Sequence, residues 1–300
     1  MNGAALPYVS VVIPAYNHAE DLRECLEALR DQTYPADRHE ILVVDNGSQQ
    51  DLRPALAGIA RARLLSEPAT GSYAARNRGI AEAAGEALAF TDSDCVPAPD
   101  WIERGVARLL GTPTCGLVAG RVDLTFRDTS GPTSSELYDL VVMNFHQDRN
   151  VTLRRFGATA NLFVFKSVFE TVGPFDGTLL SGGDLEWGQR VHAHGLLQQY
   201  ADDVRVQHPA RHSLADTYRQ ARRLAGGRYQ LQAGATPGQR AIDLLRAFTP
   251  AVGFYGRLLS DRRMPRLADR LRVVRVAIGV KYVTAMELAR LTMGGVPQRG

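Results

Sequence analysis

Ala87-Leu88-Ala89-Phe90-Thr91-Asp92-Ser93-Asp94 reads as a buried strand that runs out into two carboxylates. A short apolar run bounded by polar residues is the pattern of a strand covered on both faces. If the strand continues, Asp92 and Asp94 point to one face and Ser93 to the other. The carboxyl end of a strand is where open α/β sheets place ligands. Two carboxylates this close repel unless a cation or hydrogen bonds satisfy them. A divalent ion holding a diphosphate would do so, and hard oxygen ligands suit Mg²⁺ or Mn²⁺. A solvated turn is the competing reading, and Asp-x-Asp alone does not separate the two.

Outward from this stretch, the N-terminal half alternates strands and helices. Val9 to Pro14 reads as a first strand, followed by a loop at Ala15-Tyr16-Asn17. Leu22, Cys25, Leu26 and Leu29 share one face of a helix that Thr33-Tyr34-Pro35 stops. Glu40 to Asp45 is a second strand, and Asn46-Gly47-Ser48 a turn. A short helix is expected over Leu52 to Ile59, a third strand at Arg63 to Leu65, and a small-residue helix with its entry loop over Gly71 to Gly85. Such alternation favours a parallel sheet covered by helices. Further on, strands are expected at Gly116–Gly120, Val122–Phe126, Asn161–Phe165 and Val204–Gln207. Helices are expected around Ser167–Thr171 and Glu186–His194, and most of the chain beyond His208 reads as helical.

A chain of 300 residues can bury a substantial core in one or two domains. Three widely spaced cysteines, Cys25, Cys95 and Cys115, suggest neither a disulfide framework nor a zinc site. Cys95 reads as a small packing residue. Met1 to Leu6 is too short for a secretory leader, so a cytoplasmic protein is expected. The net charge of +3 hides an asymmetry: residues 204–300 carry +13 and residues 1–203 carry −10. A basic module of this kind suggests an anionic partner. Arg219, Arg222, Arg223 and Arg228, then Arg262 to Arg275, alternate with apolar residues. Charges at Arg275, Lys281, Glu287 and Arg290 argue against a spanning helix over Val273–Met293. Two readings stay open: an interfacial helix on an anionic leaflet, peripheral to the inner face of the membrane, or a helical cap with a solvated basic face. No nucleic-acid motif accompanies the arginines.

Five motifs in order resemble the family 2 glycosyltransferases, over residues 8–208. They are Val9 to Asn17, Leu22 to Pro35, Val43 to Ser48, Gly71 to Gly79, and Thr91 to Asp94. The resemblance implies a GT-A fold: a Rossmann-like mixed α/β sheet flanked by helices. Its catalytic domain would cover residues 1–209, with a nucleotide half to about 125 and an acceptor half over 126–209. Residues 210–300 form a basic helical extension. By the same resemblance, Pro14, Ala15, Tyr16 and Asp45 line the base pocket. Arg76 and Asn77 lie beside base and phosphates, Asp92 faces the ribose, and Asp94 holds Mg²⁺ or Mn²⁺. The competing reading of Asp45 is a turn former bonding its own backbone, and that of Arg76 a solvent-facing helix residue.

Ser181-Gly182-Gly183-Asp184-Leu185-Glu186-Trp187 corresponds to the family's acceptor loop. The usual pattern has adjacent Glu-Asp there, and this chain has Gly183-Asp184. Asp184 keeps the position of the general base, which takes the proton of the acceptor hydroxyl. Acids at a helix start are the competing reading for Asp184 and Glu186. Glu186 would serve acceptor positioning, and Trp187 would stack on an acceptor sugar or lie at an interface or in the core. In parts of this fold a histidine after the acceptor domain completes the metal site. His208 is the candidate here, with a structural role as its alternative.

The resemblance implies transfer of one sugar, with inversion, from a nucleotide-diphosphate sugar to a hydroxyl on a glycan or lipid-linked acceptor, in cell-envelope glycan or glycolipid assembly. The chain lacks the Gln-x-x-Arg-Trp pattern of processive members. A nucleotidyltransferase is a second reading, but residues 14–24 contain no glycine- and basic-rich phosphate loop. A nucleotide-sugar-binding protein with a decayed acceptor site is a third, supported by Gly183.

Overall fold

The computed structural model describes residues 6–112 and 114–297. The Met1–Ala5 part of the leader reading lies outside them. In chain order the elements are β1 (Val9–Ala15), α1 (Ala19–Arg30), β2 (His39–Asp45), β3 (Ala62–Ser66), α2 (Ser72–Glu82), β4 (Ala87–Thr91), β5 (Val96–Pro97), α3 (Trp101–Leu110) and β6 (Cys115–Thr125). Then follow α4 (Ser134–Tyr138), α5 (Gln147–Arg149), β7 (Asn161–Phe165), α6 (Lys166–Val172), α7 (Gly183–Ala193) and β8 (Leu197–Pro209). Four helices complete the described chain: α8 (Leu214–Leu231), α9 (Pro237–Phe248), α10 (Val252–Leu259) and α11 (Leu267–Thr292).

Among the described residues, one mixed sheet has the order β3-β2-β1-β4-β7-β6-β8-β5. β1 pairs in parallel with β2 and β4, and β2 in parallel with β3. β7 is antiparallel to both β4 and β6, and β5 is antiparallel to β8. The near-continuous apolar runs of β1, β2 and β4 fit strands covered on both faces. Leu22, Cys25, Leu26 and Leu29 of α1 are fully buried against that sheet, as their spacing requires.

Several expected boundaries move, each for a local reason. β4 ends at Thr91, so Asp92-Ser93-Asp94 is a turn closed by the Cys95 amide donating to the Asp92 carbonyl at 3.1 Å. The two strands expected around residue 121 are one strand, β6. Gly120 is no break: a Cβ there would come within 2.4 Å of the Asn161 side chain, so glycine permits close approach. Leu52–Ile59 forms only a 3₁₀ turn over Arg53–Leu56, with Pro54 in its first turn. α7 begins at Gly183 rather than Glu186, which places Asp184 in its first turn.

The chain divides into two compact units. The first comprises the chain up to Asp123, Phe145–Thr178 and Gly183–His208. It holds the sheet, with Trp101 packed edge-on to Phe163 at 4.7 Å between ring centroids. The second comprises Leu124–Asn144, Leu179–Gly182 and the chain from Pro209 onward. Its core joins Leu137, Tyr138 and Val141 to Leu258, Met264, Val273, Val276 and Ala277. Buried Asp139 accepts from the Arg211 amide and guanidinium at 2.8 and 3.0 Å within this unit.

Candidate active site

The acidic turn after β4 is held from below. Thr91 Oγ1 donates to the Ala160 carbonyl at 3.0 Å, anchoring the strand end to the segment entering β7. Val96 and Pro97 of β5 pair with Gln207 and Val206 of β8. His208 follows Gln207 in β8 and reaches the acidic turn. Its Nε2 lies 3.6 Å from Asp94 Oδ2. Ligand atoms of Asp92, Asp94, Cys95 and His208 all fall within 4.8 Å of one another.

The donor chemistry of this cluster fits a hard or borderline cation. Burial pushes the Cys95 thiol well above its ordinary pKa, and Asp94 and Asp92 push it further. A protonated thiol is a poor ligand. Cys25, whose sulfur approaches the Asp92 carbonyl at 3.7 Å, is shifted the same way by burial. The two carboxylates and the imidazole remain, a set suited to Mg²⁺ or Mn²⁺.

Behind this cluster a second acid is tied in through two α2 side chains. Arg76, buried at the start of α2, forms an ion pair with Asp92. Arg76 does not face solvent. Its guanidinium carbon sits 5.6 Å from the centre of the Tyr73 ring. Tyr73 in turn donates from its hydroxyl to Asp184 Oδ1 at 3.1 Å. The Leu185 amide donates to the same oxygen at 2.9 Å. Desolvation raises the Asp184 pKa above the ordinary carboxylate range; the Leu185 amide, Arg76 and Tyr73 partly oppose it. A carboxylate with a raised pKa suits a general base.

Tyr73 also accounts for the missing acid. A Cβ at Gly183 would lie 2.8 Å from the Tyr73 ring carbons. No side chain fits at residue 183 while the phenol packs there, so Gly183 serves close approach. Tyr73 sits in the quoted Gly71–Gly79 motif but carried no role in the sequence; only its contact with Asp184 reveals one.

The nucleotide-side residues are placed unequally. Asp45 ends β2 and accepts the Ser48 amide on Oδ1 at 2.9 Å, the local turn bond expected of it. Pro14 is half-buried and Tyr16 exposed in the loop after β1. Ala15 is 2% exposed and its methyl belongs to the core, so only its backbone borders that loop. Asn77 donates to the Phe175 carbonyl at 2.8 Å and accepts the Phe175 amide at 3.1 Å. It therefore fixes the segment leading toward the acceptor loop. Asn46, unremarked in the sequence beyond its turn, binds the Glu67 and Ala69 carbonyls and the Gly71 amide, setting the entry to α2.

On the acceptor side, Glu186 pairs with Arg190 at 2.6 Å, and Arg190 also holds the Val172 and Pro174 carbonyls. Trp187 is 1% exposed, stacks on Phe169 at 4.5 Å and donates to the Gly173 carbonyl. The indole lies in the core, so enclosed that it has no face left for a sugar.

Residues 10–173 match the family model described as "Glycosyl transferase family 2". Glycosyltransferase AglE of Haloferax volcanii is 43% identical over 213 residues, 69% of this chain and 69% of that protein. The pre-mycofactocin glycosyltransferase of Mycobacterium tuberculosis is 30% identical over 221 residues, 69% of this chain but only 44% of that longer protein. Among solved structures, the mannosyltransferase PcManGT from Pyrobaculum calidifontis, in complex with GDP-Man and Mn²⁺, superposes with a TM-score of 0.57. That match covers 97% of this chain and 77% of the other at 19% identity, and shows the shared fold. With a family match over more than half of the chain and the mixed sheet of that fold, the chain belongs to glycosyl transferase family 2 and adopts the GT-A architecture.

Proposed function

We propose that the protein transfers a single sugar, with inversion, from a nucleotide-diphosphate sugar to a hydroxyl of a glycan or lipid-linked acceptor in cell-envelope assembly. The observation that carries this reading is the connected line Asp184–Tyr73–Arg76–Asp92, which ties a base-like carboxylate to the acidic cluster. Asp94 and His208, with Asp92 beside them, would hold Mg²⁺ or Mn²⁺, which when bound offsets the charge of a diphosphate. Asp45, with Pro14 and Ala15 at the end of β1 and Tyr16 in the loop after it, borders the base. Asp184 takes the proton of the acceptor hydroxyl while that oxygen bonds to the anomeric carbon. The bond from the anomeric carbon to the diphosphate oxygen breaks, and the diphosphate leaves with the electron pair. Attack from the face opposite the leaving group inverts the centre. Arg76 stays positioned by Asp92 near the developing negative charge. Glu186, held by Arg190, shapes the start of α7.

Titration calorimetry with GDP and with UDP, each with and without Mn²⁺, tests the metal half of this reading. Binding by the parent should need Mn²⁺, and Asp94→Ala should weaken it by about tenfold or more, since one carboxylate ligand is lost. Equal affinity for parent and variant, with equal metal dependence, would remove Asp94 from the site.

A further inference from the structure

The long helix α11 carries two apolar faces. One, including Val273, Val276, Ala277 and Leu288, is buried within the second unit. The other is open: Leu271, Ile278, Tyr282 and Met286 recur at helical spacing, with Tyr282 59% and Met286 65% exposed. Helix α9 adds to the open surface. Its Leu245 is 70% exposed and Phe248 nearly half exposed, and Lys281 Nζ of α11 donates to the Arg246 carbonyl beside them at 3.3 Å. Arg272 and Arg275 of α11 and Arg246 of α9 are exposed with these apolar side chains. Single exposed apolar residues are ordinary, but a repeated stripe of them on a stably folded helix is not.

We propose that this α9–α11 face docks on the surface of an anionic lipid bilayer, with the apolar stripe inserted at the interface and the arginines among the headgroups. Charge complementarity selects this occupant. The +13 balance of residues 204–300 would repel a second copy of the same face, whereas anionic headgroups attract it. Among the described residues no helix is long and apolar enough to cross a membrane, so the helix lies on the surface rather than through it. The inference goes beyond the proposed transfer reaction, and its test uses neither donor nor metal.

The full chain should be sedimented with vesicles of phosphatidylcholine alone and of phosphatidylcholine with about 30% phosphatidylglycerol. Binding to the anionic vesicles and not to the neutral ones is expected, with release at about 0.5 M NaCl, where the Debye length shortens. Leu245→Glu/Tyr282→Glu should lower the bound fraction about tenfold, because two inserting side chains become anionic. Leu153→Glu, an equally exposed apolar site in the first unit, should bind as the parent does. Arg272→Gln/Arg275→Gln tests the charges without adding anions and should weaken binding severalfold. Binding to neither vesicle, equal binding to both, or undiminished binding by both double variants overturns the proposal. A concentration-dependent dimer without vesicle binding, dissolved by Leu245→Glu/Tyr282→Glu in sedimentation velocity, assigns the face to a second copy instead.

Discussion

Gly183 and Tyr73 act as a pair. The phenol fills the space that a side chain at residue 183 would need, and from there it donates to Asp184. Gly183→Ala should therefore cost about 1–3 kcal/mol, since the contacted atoms are a packed ring rather than a mobile chain end. In a Tyr73→Ala background most of that cost should vanish, and a double-mutant cycle by urea unfolding measures the coupling. Additive losses would separate the two residues. Tyr73→Phe keeps the ring and removes one hydrogen bond to the carboxylate. Because that bond favours the charged form, its loss should raise the Asp184 pKa further. Titration of the carboxyl carbon by NMR, with Asp184→Asn to assign the signal, reads the shift directly. The acidic limb of the transfer rate should move to higher pH with it. Stability follows the opposite sign. A carboxyl whose folded pKa exceeds its unfolded one holds its proton more tightly when folded, so its ionisation destabilises the fold as pH rises through that window. Asp184→Asn should consequently abolish transfer yet raise Tm at neutral pH, with the gain fading in acid. A lower Tm at neutral pH would contradict the burial assigned to Asp184.

At the scale of elements, buried Asn161 at the start of β7 joins several parts of the first unit. Its Oδ1 accepts the Trp101 indole N–H at 2.9 Å, and its amide donates to the Arg121 and Val204 carbonyls at 2.8 and 2.9 Å. Asn161→Ala leaves three polar groups, two of them in buried bonds, without this partner and should destabilise by about 3 kcal/mol, read from the denaturant midpoint at unchanged m-value. A loss below about 0.5 kcal/mol would mean the three groups find other partners. Asn161 shows what was not legible beforehand. The strand containing it was, because Leu162-Phe163-Val164 is an apolar run; the role of its first polar residue was not, since its partners lie 40 to 60 residues away in sequence. The same division holds across the fold. β1, β2, β4 and α1 were plain from periodicity, and the break expected within β6 was not real because Gly120 answers to a neighbour rather than to a turn. Of the candidate site, Asp92, Asp94, Asp184 and His208 could be picked out from their order in the chain. Tyr73, and the turning of Asn77 toward Phe175, depend on contacts between distant segments, which a single sequence does not display.

At the scale of the whole molecule, the second unit is not simply the C-terminal third of the chain. Leu137, Tyr138 and Val141 come from the middle of the sequence, yet they form one core with Leu258, Met264, Val273 and Val276. Arg263 reinforces that packing by donating to the Leu140 and Val141 carbonyls, each at 3.1 Å. Buried Glu136 and Asp139 likewise find His212 and Arg211 beyond residue 209. A chain truncated after residue 209 would keep the apolar residues and both acids while losing Leu258, Met264, Val273 and Val276 as cover and Arg211 and His212 as partners; Glu136 would retain the Arg127 and Thr133 amides, and Asp139 would lose its ion pair. Each uncovered large apolar side chain forfeits about 1.5–3 kcal/mol of burial, and an unpaired buried acid costs several more. The truncated protein should bind the dye ANS, run as soluble aggregates in size-exclusion chromatography and unfold at lower denaturant than the full chain. Replacing Leu137, Tyr138 and Val141 with serine in the truncated form should reduce ANS binding and aggregation, because the exposed patch is then gone. The same three replacements in the full chain should be strongly destabilising, since there they empty a core. A truncated protein that is monomeric, dark to ANS and cooperatively folded would show instead that residues 124–144 rearrange to cover themselves, and that the helices beyond residue 209 are dispensable to the middle of the chain.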